Sequence, residues 1–137
     1  MPINMLYVDD DDSMRSFVEL ACRDPDFIVT TAPTGQEALI LAHNSSFDLI
    51  LLDVVMPGLD GPATLELLRA QEDMRSTLIA FLTAHTRRVE IEGLQSHDVV
   101  AVLAKPFNPR TLAERLRSLV KAKSFYHATS LTSALPE

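Results

Sequence analysis

Five short apolar runs, at residues 3–8, 27–31, 48–52, 78–82 and 99–104, punctuate this chain, each rich in β-branched or large side chains. Runs of this length predict strands buried on both faces. Between them the apolar residues switch to helical spacing: Met14, Phe17, Val18 and Ala21 after the first run, Leu65 and Leu68 after the third, Leu112, Leu116 and Leu119 after the fifth. Such alternation predicts a doubly wound α/β fold, a five-stranded parallel sheet with five helices on its two faces and right-handed crossovers.

Boundary signals agree with that division. Asp12 or Ser13 is positioned to cap the first helix and Thr34 the second, while Pro62 suits the first turn of the third. Turns fall at Pro57-Gly58 and Asp60-Gly61. The fourth helical segment, 87–95, has only a thin apolar stripe of Val89, Ile91 and Leu94 and is the least anchored. The fifth helix is expected over 109–121. Residues 122–137 are too short for a second domain and read as a helix extension followed by a loose end, leaving 1–121 as the single domain.

Composition narrows the function. With 137 residues and 47% apolar content the chain can bury one sizeable core. The net charge of −7 argues against direct nucleic-acid binding, which needs clustered Lys and Arg against phosphate. All but two of the 19 acidic residues precede Lys105, and half of the 12 basic ones lie from Lys105 onward. Basic residues late in a terminal helix suit the helix dipole. Cys22 is the sole cysteine and, beside Phe17, Val18 and Ala21, reads as a small core residue. No apolar run approaches the roughly 18 residues that span a bilayer, and no basic segment precedes a long apolar stretch. The expected compartment is the cytoplasm, without membrane insertion. A stand-alone module is the expectation, since the sequence opens on Met1 and no output domain follows residue 121, with a fragment of a longer protein as the alternative.

In an open parallel sheet, ligands bind beyond the carboxyl ends of the strands. The polar residues there are Asp9 and Asp10 after the first strand, Asp53 after the third, Thr83 after the fourth and Lys105 after the fifth. An aspartate run is more often a solvated turn and helix cap, and Asp11 and Asp12 fit that reading. Joint placement at four strand ends reverses the odds for the others. Three carboxylates within about 5 Å repel by roughly 3 kcal/mol per pair at an effective dielectric of 20, so they need a counter-charge. An all-oxygen set without His or Cys favours Mg²⁺ or Mn²⁺, which pairs naturally with phosphate oxygens. Asp53 can then act as a nucleophile forming an acyl phosphate, with Lys105 as a movable charge and Thr83 as a hydroxyl donor. A calcium loop starting at Asp9 fails, because Met14 and Leu20 stand where Gly and Glu are required. No Gly-rich phosphate loop follows the first strand.

These residues resemble the receiver domain of bacterial two-component response regulators, a flavodoxin-like fold with strand order 2-1-3-4-5. The resemblance covers about residues 3–121 and rests on Val8-Asp9-Asp10, on Asp53 followed by Met56-Pro57-Gly58 and Asp60-Gly61, on Thr83-Ala84 and on Lys105-Pro106-Phe107. It implies that Asp53 accepts a phosphoryl group from a phosphohistidine on a sensor histidine kinase or phosphotransfer protein. It further implies Mg²⁺ bound by Asp10, Asp53 and the Val55 backbone carbonyl, with Asp9 acting through water. Thr83 and the Ala84 amide would receive the phosphoryl oxygens, Lys105 would pair with them, and the bond before Pro106 would be cis. Phosphorylation would shift the fourth strand and helix and switch a target-binding surface made by helix 4, strand 5 and helix 5. Val102 stands where an aromatic usually couples to the Thr, which places coupling through the loop. Val55 and His85 are expected to tune the lifetime of the phosphoryl group.

Two other readings compete. A metal-dependent phosphatase or phosphotransferase working through an aspartyl phosphate would want a second acid two residues after its nucleophile, where Val55 stands. A non-phosphorylated interaction scaffold would not need the complete set Asp10, Asp53, Thr83 and Lys105.

Overall fold

Apolar side chains in successive positions can be satisfied only where a strand is covered on both faces, and that is how the chain folds. The computed structural model describes residues 2–23, 25–84 and 87–133, with side chains to residue 123. The elements run β1 (Ile3–Val8), α1 (Asp12–Ala21), β2 (Phe27–Ala32), α2 (Gly35–Asn44), β3 (Leu49–Asp53), α3 (Gly61–Ala70), a 3-10 turn (Glu72–Met74), β4 (Leu78–Thr83), α4 (Arg88–Gln95), β5 (Ala101–Ala104) and α5 (Pro109–Ser133). All neighbouring strands are parallel, in the order β2-β1-β3-β4-β5. The doubly wound architecture and its strand order are those expected.

Alternation along each strand divides the core. Leu6, Val8, Ile50, Leu52, Ile79 and Phe81 pack with α2, α3 and Leu94 of α4. Met5, Tyr7, Leu49, Leu51, Ala80 and Leu82 pack on the other face with Val18 of α1 and Leu112 and Leu116 of α5. Every residue of β3 is buried, so its last one, Asp53, leaves the sheet from its most desolvated strand.

Several boundaries differ from the expected ones. β5 begins at Ala101, not at 99, although the Val100 amide already donates to the Ile79 carbonyl at 2.8 Å. β3 begins at Leu49 because Asp48 turns its carboxylate to the Asn4 amide at 2.8 Å. The cap of α1 is Asp11, not Asp12 or Ser13: its Oδ1 accepts from the Ser13 and Met14 amides at 2.9 and 3.2 Å, and Asp12 pairs with Arg15 in the first turn. Within the stripe expected on α1 only Val18 is fully enclosed, and Phe17 remains 40% exposed. Thr34 caps α2 as expected, and Asp60 caps α3 ahead of Pro62. α5 runs past residue 121 to Ser133, in line with the expected helix extension, since no Pro or Gly interrupts 122–133. The last four residues, expected to form a loose end, lie outside the described residues.

α4 is the least secured helix. Arg87 precedes it without a side-chain cap, Leu94 is its one buried residue, and Val89 is 75% exposed. Its far end is tied by Arg69 at the close of α3. The Arg69 guanidinium donates to the carbonyls of Met74, Thr77 and Asp98 at 2.8, 2.7 and 3.0 Å. Its Nε lies 3.1 Å from Asp98 Oδ2 without the alignment of a hydrogen bond, so that part of the pairing is Coulombic.

Gly61 seats α3 against the strand end that carries Asp53. Its amide donates to the Val54 carbonyl at 2.8 Å, and a Cβ there would meet the Asp53 carbonyl oxygen at 2.5 Å and Val54 Cα at 2.9 Å. Both obstacles are backbone and cannot swing aside. Gly61→Ala is expected to lower the unfolding free energy by about 1–3 kcal/mol, measured by urea denaturation. An unchanged midpoint would show that the junction yields.

Candidate functional site

The carboxyl edge of the sheet gathers the charged residues. Asp9 leaves β1, Asp53 ends β3, Thr83 ends β4 and Lys105 follows β5. Lys105 crosses the edge so that its Nζ lies 3.0 Å from Asp53 Oδ1 and 3.2 Å from Asp9 Oδ2. Asp10 stands exposed beside them, and one oxygen each from Asp9, Asp10 and Asp53 lie within 4.8 Å of one another. This all-oxygen donor set suits a hard divalent cation that retains waters.

Burial separates the first two aspartates sharply. Asp9 is fully enclosed and Asp53 only 7% exposed, whereas Asp10 faces solvent. Asp9 is satisfied by protein donors: Oδ1 accepts from the Asp11 amide at 3.0 Å, and Oδ2 accepts from both Lys105 and the Tyr7 hydroxyl. Arg15 steadies the same turn by donating to the Asp9 carbonyl at 2.7 Å.

Burial raises the cost of charge at Asp9, but the Tyr7 hydroxyl, the Asp11 amide and Lys105 outweigh it and hold the carboxyl below its ordinary value. At Asp53 burial prevails over the Lys105 hydrogen bond, and the nearby Asp9 charge adds to it, so the carboxyl is pushed up to about 6. Burial pulls Lys105 down, yet its bonds and attraction to Asp53 and Asp9 carry it above its usual value. Tyr7 is raised by burial first and by Asp9 second, and stays a hydrogen-bond donor.

The other expected residues are placed as follows. Thr83 is 2% exposed, its carbonyl accepting from the Lys105 amide at 2.8 Å, and Ala84 follows it into solvent. Val55 is 68% exposed on the loop after β3. Val102 lies opposite Phe81 in the β4–β5 register, and Phe81 meets the His97 ring edge-on at 5.9 Å. The Lys105-Pro106 peptide is cis. His85 lies outside the described residues. Beside the acidic cluster, Met14, Phe17, Ala84, Lys105, Pro106 and Phe107 line a mostly apolar concavity of about 340 Å³, across which the Phe17 and Phe107 rings meet edge to face at 5.3 Å.

The residue that sequence reading missed is Tyr7. Inside an apolar strand it reads as core, but the signal was available: it stands two positions before Asp9, and side chains two apart share a face.

The family model described as the response regulator receiver domain matches residues 5–117. Among curated proteins, the probable transcriptional regulator ycf27 of Galdieria sulphuraria is 31% identical over 95% of this chain and 50% of its own length. The chain thus spans about half the length of the curated relatives it matches. Among solved structures, the chemotaxis protein CheY4 of Vibrio cholerae is 34% identical with a TM-score of 0.80, covering 87% of this chain and 99% of its own. The receiver domain of the sensor histidine kinase PA1611 from Pseudomonas aeruginosa, with a magnesium ion coordinated in its active-site cleft, is 29% identical with a TM-score of 0.80 over 88% of this chain and 99% of its own.

The opposed shifts at Asp9 and Asp53 have a consequence for stability. A carboxyl whose folded pKa exceeds its unfolded value contributes fully below the unfolded value, about 3.9, and that contribution is lost as pH rises through the folded one, here about 6. Asp9 has the opposite sign and loses its contribution as pH falls. In the presence of a chelator, the wild-type protein is therefore expected to lose more stability between about pH 5 and pH 8 than Asp53→Asn does, with the variant the more stable at the upper end. Parallel urea-denaturation profiles for the two proteins would contradict the assignment of the raised carboxyl to Asp53.

Proposed function

The chain belongs to the response regulator receiver family, which works in phosphorylation-based signalling, and from that premise we propose that Asp53 is its phosphoacceptor. The observation that carries this reading is Lys105 shared between Asp53 and Asp9 beside three carboxylate oxygens within 4.8 Å. That arrangement holds a nucleophilic carboxylate, a releasable cation and a place for a divalent ion at one strand edge.

The donor is a phosphohistidine on a sensor histidine kinase or a histidine phosphotransfer protein. An Asp53 oxygen attacks phosphorus, the new P–O bond forms as the P–N bond breaks, and the leaving imidazole takes up a proton. Asp10, Asp53 and the Val55 backbone carbonyl would hold Mg²⁺ or Mn²⁺, with Asp9 reaching it through water, and the ion would supply positive charge that offsets the carboxylates against the incoming phosphoryl oxygens. Lys105 moves from the Asp53 carboxylate to a phosphoryl oxygen, and the Thr83 hydroxyl and Ala84 amide take others. The added charge draws on β4 and biases two arrangements of the weakly held α4, switching the α4–β5–α5 surface toward a downstream protein target. Since Val102 provides no aromatic, the signal passes through the loop after Thr83.

In this reading residues 1–121 form the receiver unit, and 122–137 a tail whose first part continues α5. The chain catalyses only its own phosphorylation and dephosphorylation, works in the cytoplasm and makes no direct contact with nucleic acid. No described helix is long and apolar enough to cross a membrane.

Incubation with a small-molecule phosphodonor and Mg²⁺ is expected to give a single phosphoryl adduct by intact mass, absent from Asp53→Ala. An adduct that persists in that variant would defeat the assignment. The Val55 side chain offers no polar atom to the water that hydrolyses the adduct. Val55→Asn, which adds an amide able to orient that water, is therefore expected to shorten its lifetime, and His85→Ala to alter it. Unchanged lifetimes in both variants would remove these positions from the site.

A further inference from the structure

Tyr7 is fully buried on β1, in the apolar cluster that also holds Val18, Leu51, Leu82 and Leu116. A phenol hydroxyl enclosed among aliphatic side chains needs an acceptor. The one it takes is Asp9 Oδ2, the same oxygen that accepts Lys105 Nζ at 3.2 Å. Lys105 in turn donates to Asp53 Oδ1 at 3.0 Å. A chain of four groups therefore runs from the core to the phosphoacceptor: Tyr7, Asp9, Lys105, Asp53. With Oδ1 taken by the Asp11 amide at 3.0 Å, both Asp9 oxygens are fixed by protein donors.

We propose that Tyr7 is a positioning residue for the divalent cation, its hydroxyl fixing the Asp9 carboxylate and sharing Oδ2 with Lys105 so that the acidic cluster is set from inside the core. This rests on the reading that Asp9, Asp10 and Asp53 together hold the cation. A phenylalanine would fill the same space but leave Oδ2 to Lys105 alone. The carboxylate would then be free to turn toward the ammonium, and Lys105 would be drawn away from Asp53 and held against the position the cation needs. Groups that orient metal ligands from behind are typically worth ten- to a hundredfold in affinity. Asp9 acts on the cation through water, which places Tyr7 at the low end, about tenfold.

The role also makes Tyr7 an optical reporter. The chain has no Trp and only two Tyr, so removing the other with Tyr126→Phe leaves Tyr7 as the sole tyrosine. Its hydroxyl is bonded directly to a group in the cation's surroundings, so its near-ultraviolet absorption should follow occupancy of the site.

The test is calorimetric titration of Mg²⁺ alone into the wild-type protein, Tyr7→Phe, Asp9→Asn and the double variant. Tyr7→Phe is expected to weaken binding about tenfold, and to have no further effect in the Asp9→Asn background. A merely structural tyrosine would lower the melting temperature without this coupling in the cycle. Equal affinity of Tyr7→Phe and wild type, or the same loss in both backgrounds, would overturn the proposal. If Tyr7→Phe does not fold, the Tyr126→Phe protein decides: its absorption should change with Mg²⁺ at the calorimetric midpoint, and a flat signal overturns the role. No Mg²⁺ binding by the wild-type protein would overturn the cation site itself and this role with it, whereas wild-type binding with no Tyr7 effect overturns this role alone.

Discussion

Two desolvated carboxylates share one ammonium, and much of the fold's arrangement at this edge is what allows it. Asp9 and Asp53 end adjacent strands, while Lys105 follows the edge strand on the far side of β4. Neighbouring strands lie about 4.8 Å apart, so a positive charge rooted after β5 must pass over the end of β4 to reach β3. Only a long, flexible side chain can do so. One ammonium cannot neutralise two carboxylates, and Asp10 adds a third at the surface. The site is left with excess negative charge, which suits it to a hard divalent cation.

How much of this could be read from the sequence depended on whether a residue's role was set locally or by neighbours distant in the chain. The strands were legible because doubly apolar runs allow few alternatives, and Asp53, Thr83 and Lys105 were legible because each stands at a strand end. Less legible was the division of labour within the aspartate run. Nothing local shows that Asp9 is enclosed and Asp10 wet; that follows from Asp9 sharing the inward face of Met5 and Tyr7 beneath α1 and α5. The cap of α1 fell on Asp11 because three consecutive aspartates can each serve and the geometry of the exit from β1 chooses. That α5 extends past residue 121 was legible because no Pro or Gly interrupts 122–133, but the length of the extension was not, since its Ser, Thr and aromatic residues give no sharp stop signal.

The two faces of the sheet differ in how firmly they are held. α1 and α5 pack against Tyr7, Leu51 and Leu82 beneath the acidic edge, and the hydroxyl of Tyr7 fastens that core to the charges. On the opposite face α4 enters without a side-chain cap and buries one leucine. The charged site therefore stands on the well-packed side of the sheet, while the helix that follows β4 is held by few buried contacts. On this face Val102 lies opposite Phe81 in the register, and Phe81 meets the His97 ring edge-on.

Arg69 sets the limit of that freedom. By collecting carbonyls from the turn before β4 and from Asp98 before β5, it joins two connections that are 21 or more residues apart in the chain to one guanidinium at the end of α3. The segments cannot detach one at a time without stranding a largely enclosed cation. They form one cooperative unit of local opening, so amide hydrogens around Thr77 and Val99 should exchange with solvent together, at one free energy, while those at the start of α4 exchange on their own.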